Sequence, residues 1–297
     1  MKKQDITVGF IGAGTTGTAL AVRLAQKGYR VIAVASRTQL SAETLAKRIN
    51  GCKVSKSAQE VADAAQIVFI TTPDDAIAKV AAEVNWHEKQ NIVHCSGAHS
   101  VDCLKPVTRY RALAGCLHPL QTFASVEQAI NNIPGSTFAL EAPEPLLTTL
   151  KNMATALEGD WVVLKAGDKV LYHAAAVFAC NYLVTLVKLA TDLWQTFDVP
   201  PAKATKALMP LLRGTLNNIE NVGLPNCLTG PIARGDLGTI ARHLAALEKD
   251  NLALLNMYQE LGLQTIPIAL AKGKIDSQRA VELQALLNKK PAIGGPL

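Results

Sequence analysis

The chain has 297 residues, of which 49% are apolar and 18% are charged, and this is the composition of an ordinary globular protein. Its length predicts about two domains. The formal net charge is +6, yet the basic residues are scattered, and only 5% of the residues are aromatic. These features argue against a nucleic-acid-binding protein and suit an anionic cofactor or substrate.

The cysteines and the hydropathy pattern bear on location. The six cysteines form neither a C-x-x-C pair nor a zinc-ligand spacing, so we expect reduced thiols, no metal and a cytoplasmic protein. The polar start, residues 1–5, lacks the pattern of a signal peptide. Three polar residues interrupt the longest apolar stretch, Ala174–Leu189. We therefore predict a core helix there and no membrane span.

A glycine-rich turn follows the first apolar run of the chain, Ile6–Ile11. Residues 18–26 after the turn have the composition of a helix. A strand, a G-x-G-x-x-G turn and a helix are the parts of a dinucleotide-binding site, in which the glycines permit the turn, the approach of the pyrophosphate and close helix packing. The helix N-terminus attracts the phosphates. We predict that the turn binds the cofactor through Gly12, Ala13, Gly14, Thr15, Thr16 and Gly17.

The end of the second predicted strand, Arg30–Ala35, indicates which dinucleotide binds. NAD-specific sites carry an acidic residue here that binds the ribose 2′-hydroxyl, whereas this chain has Ser36 and Arg37. A guanidinium pairs well with the 2′-phosphate of NADP, so NADP(H) is the predicted cofactor. The alternative is that Arg37 is a solvated loop residue and that backbone groups alone bind the ribose of NAD.

Further apolar runs alternate with helical stretches as far as residue 165. This order predicts a doubly wound parallel sheet of the Rossmann type, with about eight strands. One strand ends in Thr72-Pro73-Asp74 and another ends just before Ser96, and we predict that these four residues bind the cofactor as well. A simple turn is the alternative for the first of these segments. Asp75 is the predicted N-cap of the helix that follows it.

Strand patterns almost vanish after residue 167. We predict a nucleotide-binding domain over residues 1–166 and an all-helical domain over residues 167–288, with Asp236 as the N-cap of one helix. The last residues, 289–297, contain two prolines and two glycines, and we expect this tail to be disordered.

Reduction by a nicotinamide requires a proton donor and groups that stabilise the developing charge. His118 follows a predicted strand in a stretch that includes Gln121, and His173 lies eight residues before Asn181 on the long helix. We predict that His118, His173 and Asn181 are catalytic and that Gln121 binds substrate. The alternative is that these polar groups are hydrogen-bonded structural residues.

Arg234 is the candidate substrate ligand of the helical half. It lies in a glycine-containing loop, residues 223–235, and a guanidinium can bind a substrate carboxylate in a bidentate manner. The alternative is a solvated loop cation. The sequence leaves both readings open.

Four segments together resemble known families: the glycine turn, residues 118–123, residues 172–182 and residues 229–236. The N-terminal half is similar to the NADP-binding domain of pyrroline-5-carboxylate reductases, 6-phosphogluconate and 3-hydroxyisobutyrate dehydrogenases, and ketopantoate reductases. The chain as a whole is more similar to a bacterial family of NADP-dependent oxidoreductases with a Rossmann-like domain and a C-terminal domain of unknown function. This resemblance extends over nearly the whole chain except the tail.

The resemblance implies an NADP(H)-dependent reductase with a 6-phosphogluconate dehydrogenase-like helical domain that builds a homodimer. The related dehydrogenases carry a catalytic lysine and, one turn later, an asparagine on the helix at this point. This chain has His173 and Val177 there, with Asn181 a further turn along.

A small carbonyl acid, such as a ketopantoate-like 2-keto acid, is the expected substrate, and neither nucleic acid nor a membrane is an expected partner. The alternatives are an imine reductase of the pyrroline-5-carboxylate type and an NADP-binding regulatory protein without turnover.

Overall fold

The structure, a computed structural model, describes residues 3–165 and 167–289. The chain divides into two compact units, residues 1–182 and 183–297. The first unit therefore extends beyond residue 166, where the sequence predicts a domain boundary. The predicted disordered tail lies outside the described residues from residue 290 onward.

An eight-stranded sheet forms the centre of the first unit. Its strands are β1 (Thr7–Ile11), β2 (Arg30–Ala35), β3 (Lys53–Val54), β4 (Ile67–Ile70), β5 (Asn91–His94), β6 (Leu113–Leu120), β7 (Thr137–Glu141) and β8 (Asp160–Val163). Their order across the sheet is 3-2-1-4-5-6-7-8. The order reverses between β1 and β4, and ligands of open α/β sheets bind outside the carboxyl ends of the strands at such a point.

Helices lie on both faces of this sheet. They are α1 (Thr15–Gln26), α2 (Gln39–Ala46), α3 (Ala58–Ala64), α4 (Asp74–Glu83), α5 (Val126–Asn132) and α6 (Leu146–Ala156), with a 3₁₀ segment at Val101–Tyr110. Helix α7 (Asp168–Ala176) follows β8. Successive residues of a strand point to opposite faces. Accordingly Phe10 and Phe69 stack in one buried apolar cluster, while Ile11 and Ile70 belong to another.

The predicted doubly wound sheet is confirmed, with one departure from parallel pairing. Strands β6 and β7 are antiparallel, and Leu120 pairs directly with Thr137. Antiparallel neighbours need no crossover, so the connection that holds α5 returns at the same end of the sheet. Strand β6 also continues further than predicted, because His118 pairs with Ala139 inside the ladder.

Two predicted helix caps have different outcomes. The Asp236 carboxylate accepts a hydrogen bond from the Thr239 backbone N–H at 2.9 Å, so this N-cap is confirmed. Asp75 is not a cap, because Pro73 occupies the N-cap position of α4. Asp74 and Asp75 instead lie in the first turn, where negative charge interacts favourably with the helix dipole.

The second unit is helical. A π-helical segment, Val177–Asn181, continues α7 into α8 (Tyr182–Gln195), which crosses the boundary between the units. The remaining helices are α9 (Pro201–Val222), α10 (Leu237–Asp250), α11 (Leu252–Ala271) and α12 (Ser277–Leu287). Apolar side chains of α10, α11 and α12, among them Ile240, Ile266 and Leu283, form the core of this unit.

The prediction of a core helix at Ala174–Leu189 is wrong. The helical run Asp168–Gln195 has a mean hydropathy of 1.7 over its most apolar window, and none of that window is buried. Leu171 and Phe178 are 78% and 71% exposed. By length and composition alone the run could cross a membrane. A helix that is apolar on all sides exposes such residues unless another surface covers it.

Candidate active site

A cleft of about 590 Å³ opens beside the ends of β1, β2 and β4, where the strand order reverses. Many of the predicted cofactor-binding residues line it, namely Gly12, Ala13, Gly14, Ser36, Arg37, Thr72 and Pro73. Thr15, Thr16 and Gly17 follow as the first turn of α1. The sequence motif and the cleft therefore coincide.

The glycines of the turn differ in what surrounds them. A Cβ on Gly12 would stand 2.6 Å from the backbone of Thr71, and a Cβ on Gly17 would stand 2.4 Å from the Thr71 hydroxyl. That hydroxyl donates a hydrogen bond to the Gly12 carbonyl at 2.8 Å. A Cβ on Gly14 would meet nothing within 4 Å. Gly12 and Gly17 thus permit packing of the protein itself, whereas the bare face of Gly14 is open to a ligand.

The charges of the cleft suit an anion. Arg37 makes no hydrogen bond or ion pair within residues 3–165 and 167–289, and Lys56 and Lys79 stand on the same walls. Glu83, the acidic residue among the lining residues, lies 3.9 Å from Lys79. The Thr72 hydroxyl is buried and has no hydrogen-bond partner among the described residues. An unpaired guanidinium and an orphaned hydroxyl fit the phosphate and hydroxyl groups of a dinucleotide.

Ser96 connects this cleft to a second cluster. Its hydroxyl donates to the Asp74 carboxylate at 2.7 Å and accepts from the backbone N–H groups of Ala98 and His99 at 3.2 and 3.0 Å. Ser96 is also buried. Its hydroxyl is fully engaged within the protein, so its role here is to tie the loop after β5 to the start of α4.

Two predicted catalytic histidines meet over Gly97. A Cβ on Gly97 would stand 2.7 Å from His118 Nε2 and 2.8 Å from His173 Nδ1. The two rings are 6.5 Å apart between centroids and nearly perpendicular. His173 Nδ1 is buried, and no described part of the chain offers it a hydrogen-bond partner. The missing side chain of Gly97 is what allows both imidazoles to reach this position.

His118 is also paired with Tyr172. Its Nδ1 lies 2.7 Å from the Tyr172 hydroxyl. Burial, the charge of Lys169 and the neighbouring His173 lower the pKa of His118 to about 4, so the imidazole is uncharged at neutral pH. Burial raises the pKa of Tyr172, and the phenol is therefore protonated. In either imidazole tautomer the pair keeps one free donor, the Nε2–H group of His118 or the hydroxyl of Tyr172.

A buried lysine supports the cluster. Lys169 is only 1% exposed, and its Nζ donates to the Ser96 carbonyl at 2.6 Å. The same ammonium lies 5.7 Å from the centre of the Tyr172 ring, within reach of a cation–π attraction. Lys169 precedes Tyr172 and His173 by three and four residues, so all three share one side of α7.

Comparison with known proteins adds a second line of evidence. Residues 1–119 match the Rossmann-like domain family. Residues 136–265 match DUF2520, described as a domain of unknown function. The N-terminal part of the chain is thus similar to one family and the C-terminal part to the other. His118 falls in the Rossmann-like match and His173 in the DUF2520 match, so the histidine cluster joins both. No curated protein matches the chain in sequence.

Solved structures share the fold. A proposed NADP oxidoreductase, BF3122 from Bacteroides fragilis, is 26% identical, with a TM-score of 0.71 over 90% of this chain and 100% of that one. A reductive aminase from Aspergillus terreus in complex with NADPH has a TM-score of 0.60 at 15% identity, over 95% and 92% of the two chains. Pyrroline-5-carboxylate reductase from Streptococcus pyogenes has a TM-score of 0.61 at 15% identity, over 94% and 98%.

The remaining predicted residues are Asn181, Gln121 and Arg234. Asn181 is the last residue of the π-helical segment in the DUF2520 region. Gln121 lies just beyond β6, where its side chain contacts Ser136 and accepts from the Thr122 N–H. Arg234 belongs to the second unit. Gln121 therefore makes local hydrogen bonds, and its role as a substrate ligand stays a prediction.

Sequence reasoning missed Lys169, Tyr172, Gly97 and Lys56. A signal existed for the first two, because a lysine and a tyrosine spaced three residues apart on an otherwise apolar helix predict a shared polar face. No comparable signal marks Gly97 or Lys56. Their importance depends on which loops of the Rossmann-like domain meet, and spacing along the chain does not show this.

Replacing Gly97 with alanine should displace both imidazoles. Because the added Cβ would stand within 3 Å of two ring nitrogens, we expect Gly97→Ala to lower the free energy of unfolding by about 1–3 kcal/mol and to shift the imidazole NMR signals of His118 and His173. Urea unfolding and side-chain NMR measure the two effects. Gly214→Ala, where a Cβ meets nothing within 4 Å, is the control. Unchanged imidazole signals in Gly97→Ala would contradict the packing described.

Proposed function

We propose that the protein is an NADP(H)-dependent oxidoreductase that reduces a small carbonyl acid in the cytoplasm. The observation that carries the proposal is that the Ser96–Asp74 hydrogen bond joins the dinucleotide cleft to a half-buried donor pair, Tyr172 and His118. The proposed activity of the Bacteroides fragilis relative supports the same class of reaction. The six cysteines, free in the structure, suit a reducing compartment.

NADP(H) would be held along the glycine turn, with Ser36, Arg37 and Lys56 toward the 2′-phosphate and Thr72 toward the other end of the cleft. When bound, the dihydronicotinamide supplies a hydride. The unpaired Arg37 distinguishes this cleft from one built for NAD, because no carboxylate occupies the end of β2 to bind a free 2′-hydroxyl. A second cation, Lys56, reinforces this preference for a phosphate.

The protein's own contribution is a proton and a polarised hydrogen bond. A carbonyl that receives a hydride becomes an alkoxide, which is a strong base and takes a proton from a nearby donor. Since His118 is uncharged at neutral pH, it acts through its N–H group or relays a proton from Tyr172, not as an imidazolium. The buried charge of Lys169 also favours the developing negative charge.

Imine reduction is the alternative reaction, and an NADP-binding regulator without turnover is the alternative class. The fold accommodates imine reduction, since a reductive aminase and a pyrroline-5-carboxylate reductase share it. The Tyr172–His118 pair favours a carbonyl substrate. Hydride transfer to a carbonyl gives an alkoxide, which needs a proton from the protein, whereas hydride transfer to a protonated imine gives a neutral amine, which does not. A regulatory protein without turnover would not require the Tyr172–His118 proton donor. A substrate panel of 2-keto acids and cyclic imines separates the three outcomes.

Arg37 should control the choice of cofactor. We expect Arg37→Gln to weaken NADPH binding by roughly 10- to 100-fold, since a hydrogen bond to a charged group contributes about 1.5–3 kcal/mol, and to leave NADH binding within about twofold. Isothermal titration measures both dissociation constants. Arg30→Gln, which removes the same charge at the opposite end of β2, is the matched control. Equal weakening of NADPH and NADH would count against the proposed role.

Lys169 should set the acid limb of the pH profile. The wild-type rate is expected to hold as the pH falls until His118 gains a proton near pH 4. Lys169→Met removes a positive charge that lowers the pKa of His118; that pKa then rises toward its ordinary value, and the limb moves to higher pH. The measurements are kcat/KM against pH and NMR titration of His118, with NADPH affinity as the control for folding. Activity confined to pH values below 4 would show that the imidazolium is the acid instead.

A homodimer is the expected assembly, and the uncovered surface of the helical run Asp168–Gln195 supports it. Leu171 and Phe178 are largely exposed in the single chain, and burying each such side chain stabilises an assembly by about 1.5–3 kcal/mol. The Lys188–Asp192 ion pair lies on the same run and favours a protein partner over a lipid one.

Light scattering should give a mass about twice the 31.6 kDa of one chain. The double variant Leu171→Glu, Phe178→Glu should be monomeric, because the added carboxylates would have to be buried. Leu40→Glu, at a residue 68% exposed on α2, should remain a dimer. A monomeric wild-type protein, or one that partitions into lipid vesicles, would exclude this assembly.

A further inference from the structure

The second unit contains a cleft of its own, of about 470 Å³. Its lining residues are Leu228, Thr229, Gly230, Ala233, Arg234, Lys272 and Lys274. They come from the loop after α9, from the short 3₁₀ segment Ile232–Arg234 and from the end of α11 with the turn that follows. A volume of this size is in the range that holds small molecules.

The charge on this cleft is of one sign. Three of its lining residues are cations, and no carboxylate is among them. The side chains of Arg234 and Lys274 make no hydrogen bond or ion pair with any described residue of the chain, and Arg234 is hydrogen-bonded only through its backbone N–H, to the Pro231 carbonyl. Asp236 is the nearby acid, and hydrogen bonds with Thr239, followed by the charge of Arg234, lower the pKa of its carboxyl. That carboxylate caps α10 through the Thr239 N–H and is not among the described lining residues, so it offsets at most one of the three positive charges.

The walls of the cleft are held by internal contacts. Lys272 Nζ donates to the carbonyls of Asn226 and Leu228 at 2.8 and 2.7 Å and thereby fixes the loop. The backbone N–H of Asp236 donates to the Pro231 carbonyl at 2.9 Å and closes the 3₁₀ segment that carries Arg234. Lys272 and the Asp236–Pro231 hydrogen bond therefore hold the backbone of the cleft in place. The side chains of Arg234 and Lys274 remain without partners among the described residues.

We propose that this cleft binds a small oxyanion, a carboxylate or a phosphate, between the Arg234 guanidinium and the Lys274 ammonium. A guanidinium presents a planar fork of N–H donors that matches two oxygens of either group. The ammonium adds a point charge, and the Thr229 hydroxyl adds a neutral donor. The proposal concerns the second unit alone and does not rest on the dinucleotide cleft or on the histidines of the first unit.

The test is a titration of the full-length protein with oxalate and, separately, with inorganic phosphate, at constant ionic strength and with NADPH present at saturation. Backbone amide NMR should show saturable shifts at residues 228–235 and 272–274 with at least one of the two anions. Saturation by oxalate alone identifies a carboxylate ligand, and saturation by phosphate alone identifies a phosphate ligand. Failure of both anions to saturate would overturn the proposal.

Matched variants distinguish a site from general charge. Arg234→Gln should weaken anion binding at least tenfold and Lys274→Gln several-fold. Arg213→Gln and Lys206→Gln remove the same charges from exposed positions on α9 and should change it less than twofold. Equal losses in all four variants, or no loss in Arg234→Gln, would show that no specific site exists.

NADPH binding in the first unit and oxyanion binding in the second can be tested independently of each other. Arg37→Gln should retain anion binding in the second unit, and Arg234→Gln should retain NADPH affinity. If Arg234→Gln weakens NADPH binding as strongly as oxalate or phosphate binding, the cleft belongs to the cofactor and the proposal of a separate oxyanion site is wrong. If Arg37→Gln alone weakens NADPH binding while the anion still saturates, the separate site stands.

Discussion

The hydrogen bond from Lys169 to the carbonyl of Ser96 is the contact on which the proposed active site depends. An ammonium at 1% exposure is costly to bury unless nearby groups compensate its charge. The Ser96 carbonyl, which also accepts from the Cys116 thiol, and the face of the Tyr172 ring supply that compensation. Burial lowers the pKa of His118, and the charge of Lys169 lowers it further. The same residue, Ser96, then holds Asp74 through its hydroxyl.

The sheet topology explains why these groups meet. Strands β4, β5 and β6 are parallel neighbours, so their carboxyl ends lie along one edge. The residues that follow or close them, Thr72, Ser96 and His118, therefore lie in sequence from the nucleotide cleft toward the donor pair. Helix α7 completes the cluster from the other side with Tyr172 and His173. The fold thus positions the cofactor cleft and the proposed proton donor as neighbours along one edge.

The sequence predicted the local elements of this site better than the long-range contacts between them. The glycine turn, Arg37 and the doubly wound order follow from local spacing, because a strand, a turn and a helix in succession allow few arrangements. The antiparallel β7 was missed, since apolar alternation is the same in either direction. The roles of Ser96 and Gly97 could not be predicted, because they arise from a loop meeting α7 more than seventy residues later.

Unpaired charge distinguishes the residues proposed to bind ligands from those that only hold the fold. Asp63, Glu127 and Glu158 each have a cationic or hydrogen-bonding partner that lowers the carboxyl pKa, and such exposed pairs contribute little to stability. Arg37 and Arg234 have no ion-pair partner among the described residues, although each lines a cleft. A guanidinium without a carboxylate partner on a concave surface attracts an anion from solution. The same electrostatic condition is therefore present in both compact units, at Arg37 and at Arg234.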